Sequence, residues 1–430
     1  MAAKNTLTNS GRERAFKLET TPITFGPGAS EEAGWEMKRL GAGRVMVVSD
    51  PGVVRAGITG KVGEILEAEG IEYEVFDRVH VEPTLDSLQE ATNFAMEGGF
   101  DGFVGVGGGS SLDTAKVVSL VASHPAPVIE YVHPPLGSGR KPPSPLKPLL
   151  AIPTTAGTGS EVTGIAVLDL PNLKTKAAIS HPFLRPAHGI VDPLLTRSMP
   201  SDVTAACGLD VVCHAVESFT ARSFDSRPAP ETPGDRPPFQ GSNPVSDIWA
   251  ARALEYGGQY LRRAVDDGDD MEARGNMMLA ASIAGIGFGS AGTAIPHACA
   301  YPIASLKHAF RSPGYPDEPF VPHGFAVIAT APAAFRFTYP ANPKKHRQAA
   351  KFLAGEPFPK ADENTLPDVL TRLMQDVGAP SGLRELGYDE SDVDDLVSGA
   401  LKQQRQLGIA PREAGPDELA KIFREALENW

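Results

Sequence analysis

Asp210 and His214 stand four residues apart in the segment AACGLDVVCHAVESF at 205–219, and two further histidines, His297 and His323, follow at long range. The segment reads as a helix, and positions i and i+4 share a helical face, so the carboxylate and the imidazole can address one point. His297 lies in IPHACAY at 295–301 and His323 in VPHGF at 321–325, each among apolar or small residues where an unpaired ring is costly to bury. One carboxylate with three imidazoles is a donor set for a divalent cation, ferrous iron or zinc. A lone histidine among apolar residues is more often a satisfied core residue, and an Asp–His pair at this spacing also arises by accident. The pattern therefore needs a second signal.

That signal lies upstream. FDGFVGV at 100–106 reads as a short buried strand, GGGS at 107–110 as a turn, and 111–123 as a helix. Strand, glycine turn and helix N-terminus together suit an anion, because the bare backbone approaches closely and free N–H groups and the helix dipole favour negative charge. The spacing is neither GxGxxG nor a P-loop, and tight strand-to-helix turns use glycine in any case. A second loop, PTTAGTGSEVT at 153–163, follows the apolar run 148–152 with five hydroxyl side chains and two glycines, which suits ribose or phosphate. An earlier strand, RVMVVSD at 44–50, ends in Asp50. A carboxylate there either binds the adenosine ribose and repels a 2′-phosphate, favouring NAD over NADP, or caps a helix before Pro51. Both readings stand at this point.

The remaining composition narrows the class. A chain of 430 residues exceeds one typical core, so two domains are expected. A net charge of −13 argues against nucleic acid and anionic membrane surfaces. Cys207, Cys213 and Cys299 show no metal or disulfide spacing, as in a reducing compartment. The first residues lack an apolar stretch of the secretory kind, while Lys4, Arg12, Arg14 and Lys17 leave an organelle address open. The expectation is a cytoplasmic protein, mitochondrial if eukaryotic. The uncharged run 276–306 is long enough to span a bilayer, but its Gly, Ala and Ser content, with Pro296, His297 and Pro302, predicts one central helix of a large core.

The first half alternates strand signals at 44–49, 73–76, 103–106 and 149–152 with helical stretches at 59–69, 85–96 and 111–123. This order predicts a parallel, Rossmann-like sheet with helices on both faces. Shorter extended runs at 163–170 and 176–180 suggest a hairpin. After about Pro200 only helical periodicity remains, at 246–260, 270–287, 366–376 and 416–427. The expected fold is an α/β nucleotide-binding domain at 1–198 and an all-α metal-binding domain at 199–430, with a cleft between them. A loop rich in proline and charge at 223–242 is either a surface excursion or a lid or interface arm.

These segments resemble the iron-dependent alcohol dehydrogenase family. The matching stretches are GGGSSLDTAK at 107–116, IPTTAGTGSEVT at 152–163, GLDVVCHAVE at 208–217 and PHG at 322–324. The resemblance implies that Asp210, His214, His297 and His323 hold the metal. It places Gly107, Gly108, Gly109 and Ser110 on the pyrophosphate, with Asp113 of the same stretch also on the cofactor, and adds Thr154, Thr155, Thr158 and Thr163 from the second loop. Lys176 matches a lysine that reaches the cofactor ribose. Further segments, VEPT at 81–84, FQGSNPVSDIW at 239–249 and AGIGFG at 284–289, resemble the hydroxyacid–oxoacid transhydrogenase branch. That branch passes a hydride from 4-hydroxybutyrate to 2-oxoglutarate through a retained nicotinamide cofactor. Two positions depart from the wider family. Tyr301 stands where many members carry a histidine thought to relay a proton, and a phenol is a poor base at neutral pH. Glu82 stands where many have Asn.

Hydride transfer from an alcohol requires loss of the hydroxyl proton, which a divalent cation promotes. Acid substrates also need an anion-binding group facing the metal. Lys307, His308 and Arg311 are candidates, as are Arg222, Arg227 and Arg236 near the loop. The small hydroxy or oxo acid, or an alcohol or aldehyde, is the expected partner, and an assembly of identical copies is expected. Competing readings are an NAD(P)-dependent alcohol dehydrogenase or aldehyde reductase on the same scaffold, a metal-dependent hydrolase whose glycine turn is only structural, and a metal-binding scaffold without catalysis.

Overall fold

A computed structural model describes residues 11–134, 136–307 and 309–430, so Lys4 and His308 lie outside the described residues. Six parallel strands form one sheet in the order β1-β8-β5-β4-β2-β3. They are β1 (Ile23–Phe25), β2 (Arg44–Val48), β3 (Glu72–Phe76), β4 (Gly102–Gly107), β5 (Leu149–Pro153) and β8 (His188–Val191). Between β5 and β8 the chain makes an antiparallel hairpin of β6 (Ile165–Leu170) and β7 (Thr175–Ser180). β4 and β5 are buried along their whole length, as expected of central parallel strands covered on both faces, whereas edge strand β3 alternates.

The register fixes where a ligand can sit. Strand order reverses between β2 and β4, and open α/β sheets bind ligands beyond the strand ends at such a point. Asp50 follows β2 there and the glycine turn follows β4. Gly107 pairs with Pro153, so the threonine loop after β5 emerges beside that turn. β1 and β8 were not among the expected strands. They are three and four residues long and pair with each other, too short for a periodic signal.

Among the described residues every strand precedes Ser201, and the rest is helical. Helix Ser201–Thr220 is apolar on nearly all sides and buried throughout from Thr204 to Thr220 apart from Cys207, which makes it the central element of this region. Helices Pro244–Asp266, Met271–Ala291, Ile295–Leu306 and His323–Thr338 surround it. One expectation is corrected. The run 276–306 is not a single helix but parts of two, Met271–Ala291 and Ile295–Leu306, bent by 106°. Gly292, at φ 95°, ends the first, and Pro296 sits in the opening turn of the second. Among the described residues no single helix is long and apolar enough to cross a membrane, although this bent pair passes by length and composition. Both members are mostly buried within the protein.

Candidate metal and cofactor centre

Asp210, His214 and Glu217 rise along one face of helix Ser201–Thr220. His297 comes from the first turn of Ile295–Leu306, and His323 opens His323–Thr338. Asp210 Oδ1 lies 3.7 Å from His214 Nε2, 3.4 Å from His297 Nε2 and 4.0 Å from His323 Nε2. The donor atoms of Asp210, His297 and His323 all fall within 4.8 Å of one another. The His214 ring stacks between Phe288 and His297, with centroids 4.1 and 4.6 Å away.

Each of the four residues carries a buried polar atom without a hydrogen-bond partner: Asp210 Oδ1, His214 Nδ1, His297 Nε2 and His323 Nδ1. Asp210 Oδ1 and His297 Nε2 face each other, and such a pair of orphaned atoms is what a divalent cation would satisfy. His214 and His323 turn Nε2 towards Asp210, so their unpartnered Nδ1 lies on the other side of each ring. Electrostatics agree for Asp210, His214 and His323. Burial would raise the Asp210 carboxyl, but the three imidazoles hold it below the usual range. Burial pushes His214 down to about 3 and also lowers His323, so both rings are neutral and able to ligate. Burial acts in the same sense on His297, but the Glu217 carboxylate overrides it and lifts that ring to about 10.

The cofactor side abuts this group. Helix Gly109–Ser123 begins at the glycine turn with Gly108 as N-cap and no side-chain cap, so its first N–H groups are open to an anion. A β-carbon on Gly109 would lie 2.6 Å from Thr158 Cγ2, which explains the absence of a side chain there. Ser110 Oγ accepts from the Glu82 backbone N–H at 3.1 Å, and the Thr154 N–H donates to Gly107 O at 3.0 Å. The threonine loop also reaches the helical half. Gly159, at φ +60°, comes so close to Gly285 that a β-carbon would lie 2.7 Å from its Cα. The hydroxyl of Thr155 lies against Cys207, one turn before Asp210.

Asp50 does act as a cap. Its Oδ1 accepts from Gly52 N at 2.9 Å and Val53 N at 3.1 Å, while Oδ2 accepts from Ser111 Oγ at 3.1 Å beside the glycine turn. Asp113 is occupied by the protein, taking Ser160 Oγ at 2.6 Å and Val167 N at 2.9 Å. Lys116, fully buried, donates to Ile165 O at 2.7 Å and Thr163 Oγ1 at 3.4 Å, so these residues brace the loop. Lys176 Nζ pairs with Glu82. Glu82 holds a left-handed backbone at φ 60°, and its carboxylate lies within the field of His323 and Asp210, at the rim of the metal group.

The expected carboxylate anchors do not gather at this site. Lys307 Nζ pairs with Asp392 at 2.6 Å and Arg311 with Asp317 at 2.6 Å. Arg227 and Arg236 both bind Glu13, tying the 223–242 loop to the N-terminal segment. The Arg222 backbone N–H donates to Ile409 O at 3.0 Å. Tyr301 is buried one helical turn beyond His297. Sequence reasoning missed Glu217 as a functional residue, although its spacing of seven from Asp210 places it on the ligand face. It also missed Tyr315, whose phenol stands in the field of Cys207, Glu82 and Asp210.

Residues 20–193 match the family model described as iron-containing alcohol dehydrogenase, and residues 239–427 match its C-terminal counterpart. The chain belongs to the iron-containing alcohol dehydrogenase family. It is an oxidoreductase of the class that uses a divalent metal and a nicotinamide-type cofactor on small alcohol or hydroxy-acid substrates. A Bos taurus protein named "Hydroxyacid-oxoacid transhydrogenase, mitochondrial" is 40% identical over 99% of this chain and 93% of its own length. A Caenorhabditis elegans protein of the same name is 42% identical over 97% and 92%. Among solved structures, a 1,3-propanediol oxidoreductase superposes with a TM-score of 0.82 at 31% identity, covering 96% of this chain and 100% of that one. A sulfoacetaldehyde reductase from Bifidobacterium kashiwanohense, solved in complex with NAD+, gives 0.80 at 26% identity over 96% and 98%.

Proposed function

We propose that this dehydrogenase passes a hydride from 4-hydroxybutyrate to 2-oxoglutarate through a nicotinamide cofactor that stays bound, yielding succinate semialdehyde and 2-hydroxyglutarate. The observation that carries the redox reading is the convergence of Asp210, His214, His297 and His323 beside the loops that follow β4 and β5. The substrate pair rests on the near full-length similarity to the proteins of that name. Ferrous iron is the proposed cation, with zinc the other ion this donor set accepts. When bound, such an ion acidifies a substrate hydroxyl and polarises a carbonyl.

The protein's own residues orient and enclose. Glu217 fixes the His297 ring, and Phe288 packs the open face of His214. The glycine turn and Thr154, Thr155, Thr158 and Thr163 would hold the pyrophosphate and ribose, with Lys176 reaching a ribose. Asp50, acidic at the switch point of the sheet, favours NAD over NADP. The division at residues 1–198 and 199–430 would then separate cofactor binding from metal binding. The compartment is proposed as mitochondrial in a eukaryotic source and cytoplasmic otherwise. An ordinary NAD-dependent dehydrogenase is the second reading, favoured by the fold shared with 1,3-propanediol oxidoreductase. Family membership leaves the hydrolase reading without support.

Incubation of the purified protein with 4-hydroxybutyrate and 2-oxoglutarate, without added NAD, separates the two. Formation of 2-hydroxyglutarate is expected. Oxidation of the alcohol only when NAD is added would establish the ordinary dehydrogenase instead.

A further inference from the structure

Hydroxy and oxo acids bring a carboxylate that the metal group does not neutralise, and the nearby lysines are already paired. Lys176 is held by Glu82 and Lys116 by Asp113. Arg405 is different. It forms no ion pair among the described residues, and its Nη1 is enclosed without a hydrogen bond. Its guanidinium lies over the Phe239 ring, Cζ 4.6 Å from the centroid, and against the Tyr301 phenol. Arg405 as a whole is half-buried, but an enclosed guanidinium nitrogen without a counter-charge is costly, and an anion seated on it removes that cost.

The surrounding contacts fix its position. Arg405 sits in the short helix Gln404–Leu407. On one side, Gln403 Nε2 donates to Thr175 Oγ1 at 3.5 Å, next to Lys176 on β7. On the other, Ile409 O accepts from Arg222 N at 3.0 Å, at the end of the helix that carries Asp210 and His214. Tyr301 and His297 share one face of helix Ile295–Leu306, about 6 Å apart along its axis. The phenol is kept neutral by burial, so it can donate a hydrogen bond.

We propose that Arg405, with Tyr301, anchors the distal carboxylate of the acid substrates and so selects hydroxy and oxo acids over uncharged alcohols. This deepens the transhydrogenase reading and rests on it for the identity of the substrates. The chemistry of the pair fits one fixed anchor. In 4-hydroxybutyrate and in 2-oxoglutarate the same number of bonds separates the reacting carbon from the distal carboxylate. Donor and acceptor can therefore use the anchor in turn while the reacting carbon returns to the same place. Oxaloacetate, one methylene shorter, does not reach both points.

The test compares Arg405→Met and Arg405→Lys with the wild-type holoenzyme, following reduction of the nicotinamide by 4-hydroxybutyrate and by butan-1-ol. In Arg405→Met the ratio of kcat/KM for the acid over the alcohol is expected to fall about 30- to 100-fold, the usual loss of a charge-assisted hydrogen bond. Partial recovery in Arg405→Lys is expected. An unchanged ratio would overturn the anchor. Calorimetric titration with glutarate, an unreactive dicarboxylate, gives a readout independent of turnover. Glutarate binding that disappears in both Arg405→Met and Arg405→Gln supports the anchor even if neither acid turns over, in which case the transhydrogenase reading alone fails. Binding that survives both replacements rejects the anchor, whatever the turnover.

Discussion

Glu217 locks the His297 ring from behind. Its Oε2 is hydrogen bonded to His297 Nδ1, while Oε1 accepts the backbone N–H of Ala294 at 2.8 Å and of His297 at 3.2 Å. A fully buried carboxylate thus ties the helix bearing Asp210 and His214 to the start of the helix bearing His297, and leaves His297 Nε2 aimed at Asp210. Such outer carboxylates orient the ring and raise its basicity. Glu217→Gln keeps the volume and loses the charge. It is expected to weaken metal binding about 10- to 100-fold, measured by competition with a chelator. Equal affinity in variant and wild type would contradict this role.

Asp50 has two jobs that one substitution separates. Asn caps helices about as well as Asp, so Asp50→Asn should unfold at nearly the wild-type temperature. Its lost charge should raise affinity for NADPH relative to NADH about tenfold, the equivalent of about 1.4 kcal/mol. Fluorescence titration of nucleotide-free protein reads both affinities, and an unaltered ratio would leave Asp50 a cap and nothing more.

His346 supplies a pH-dependent contribution to stability. Buried, it interacts through Nδ1 with Asn342 O at 2.8 Å and through Nε2 with Thr338 Oγ1 at 2.9 Å, and burial pushes its pKa down to about 4. The folded value lies below the unfolded one, so the contribution is complete above about pH 6.5 and is lost as pH falls towards 4. Over that interval the loss is about 3 kcal/mol. Urea unfolding of His346→Leu should show a correspondingly shallower acid limb than the wild type. Parallel limbs would mean that the ring does not titrate as its surroundings dictate.

The parts of this molecule most legible in the sequence are those carried by local spacing. Asp210 and His214 at i and i+4, the glycine turn between strand and helix, and the change from alternating strands to helices all show within short windows. Pairings made across the chain do not. Lys307 looked free in sequence, yet Asp392, 85 residues away, reaches it. Lys176 meets Glu82 from 94 residues away. Arg405 lies in a four-residue helix within a polar stretch, where nothing local marks it as enclosed. The break at Gly292 was hidden because small apolar residues continue on both sides of it.

The central claim is that Asp210, His214, His297 and His323 share one cation next to the nicotinamide. Anomalous X-ray diffraction at the iron and zinc edges, from crystals of the nucleotide-bound protein, tests it most directly. One peak about 2.0–2.2 Å from a donor atom of each of the four side chains, with the nicotinamide ring against it, is the predicted result. A peak elsewhere, or a fully occupied nucleotide site with no metal among these four residues, would contradict it.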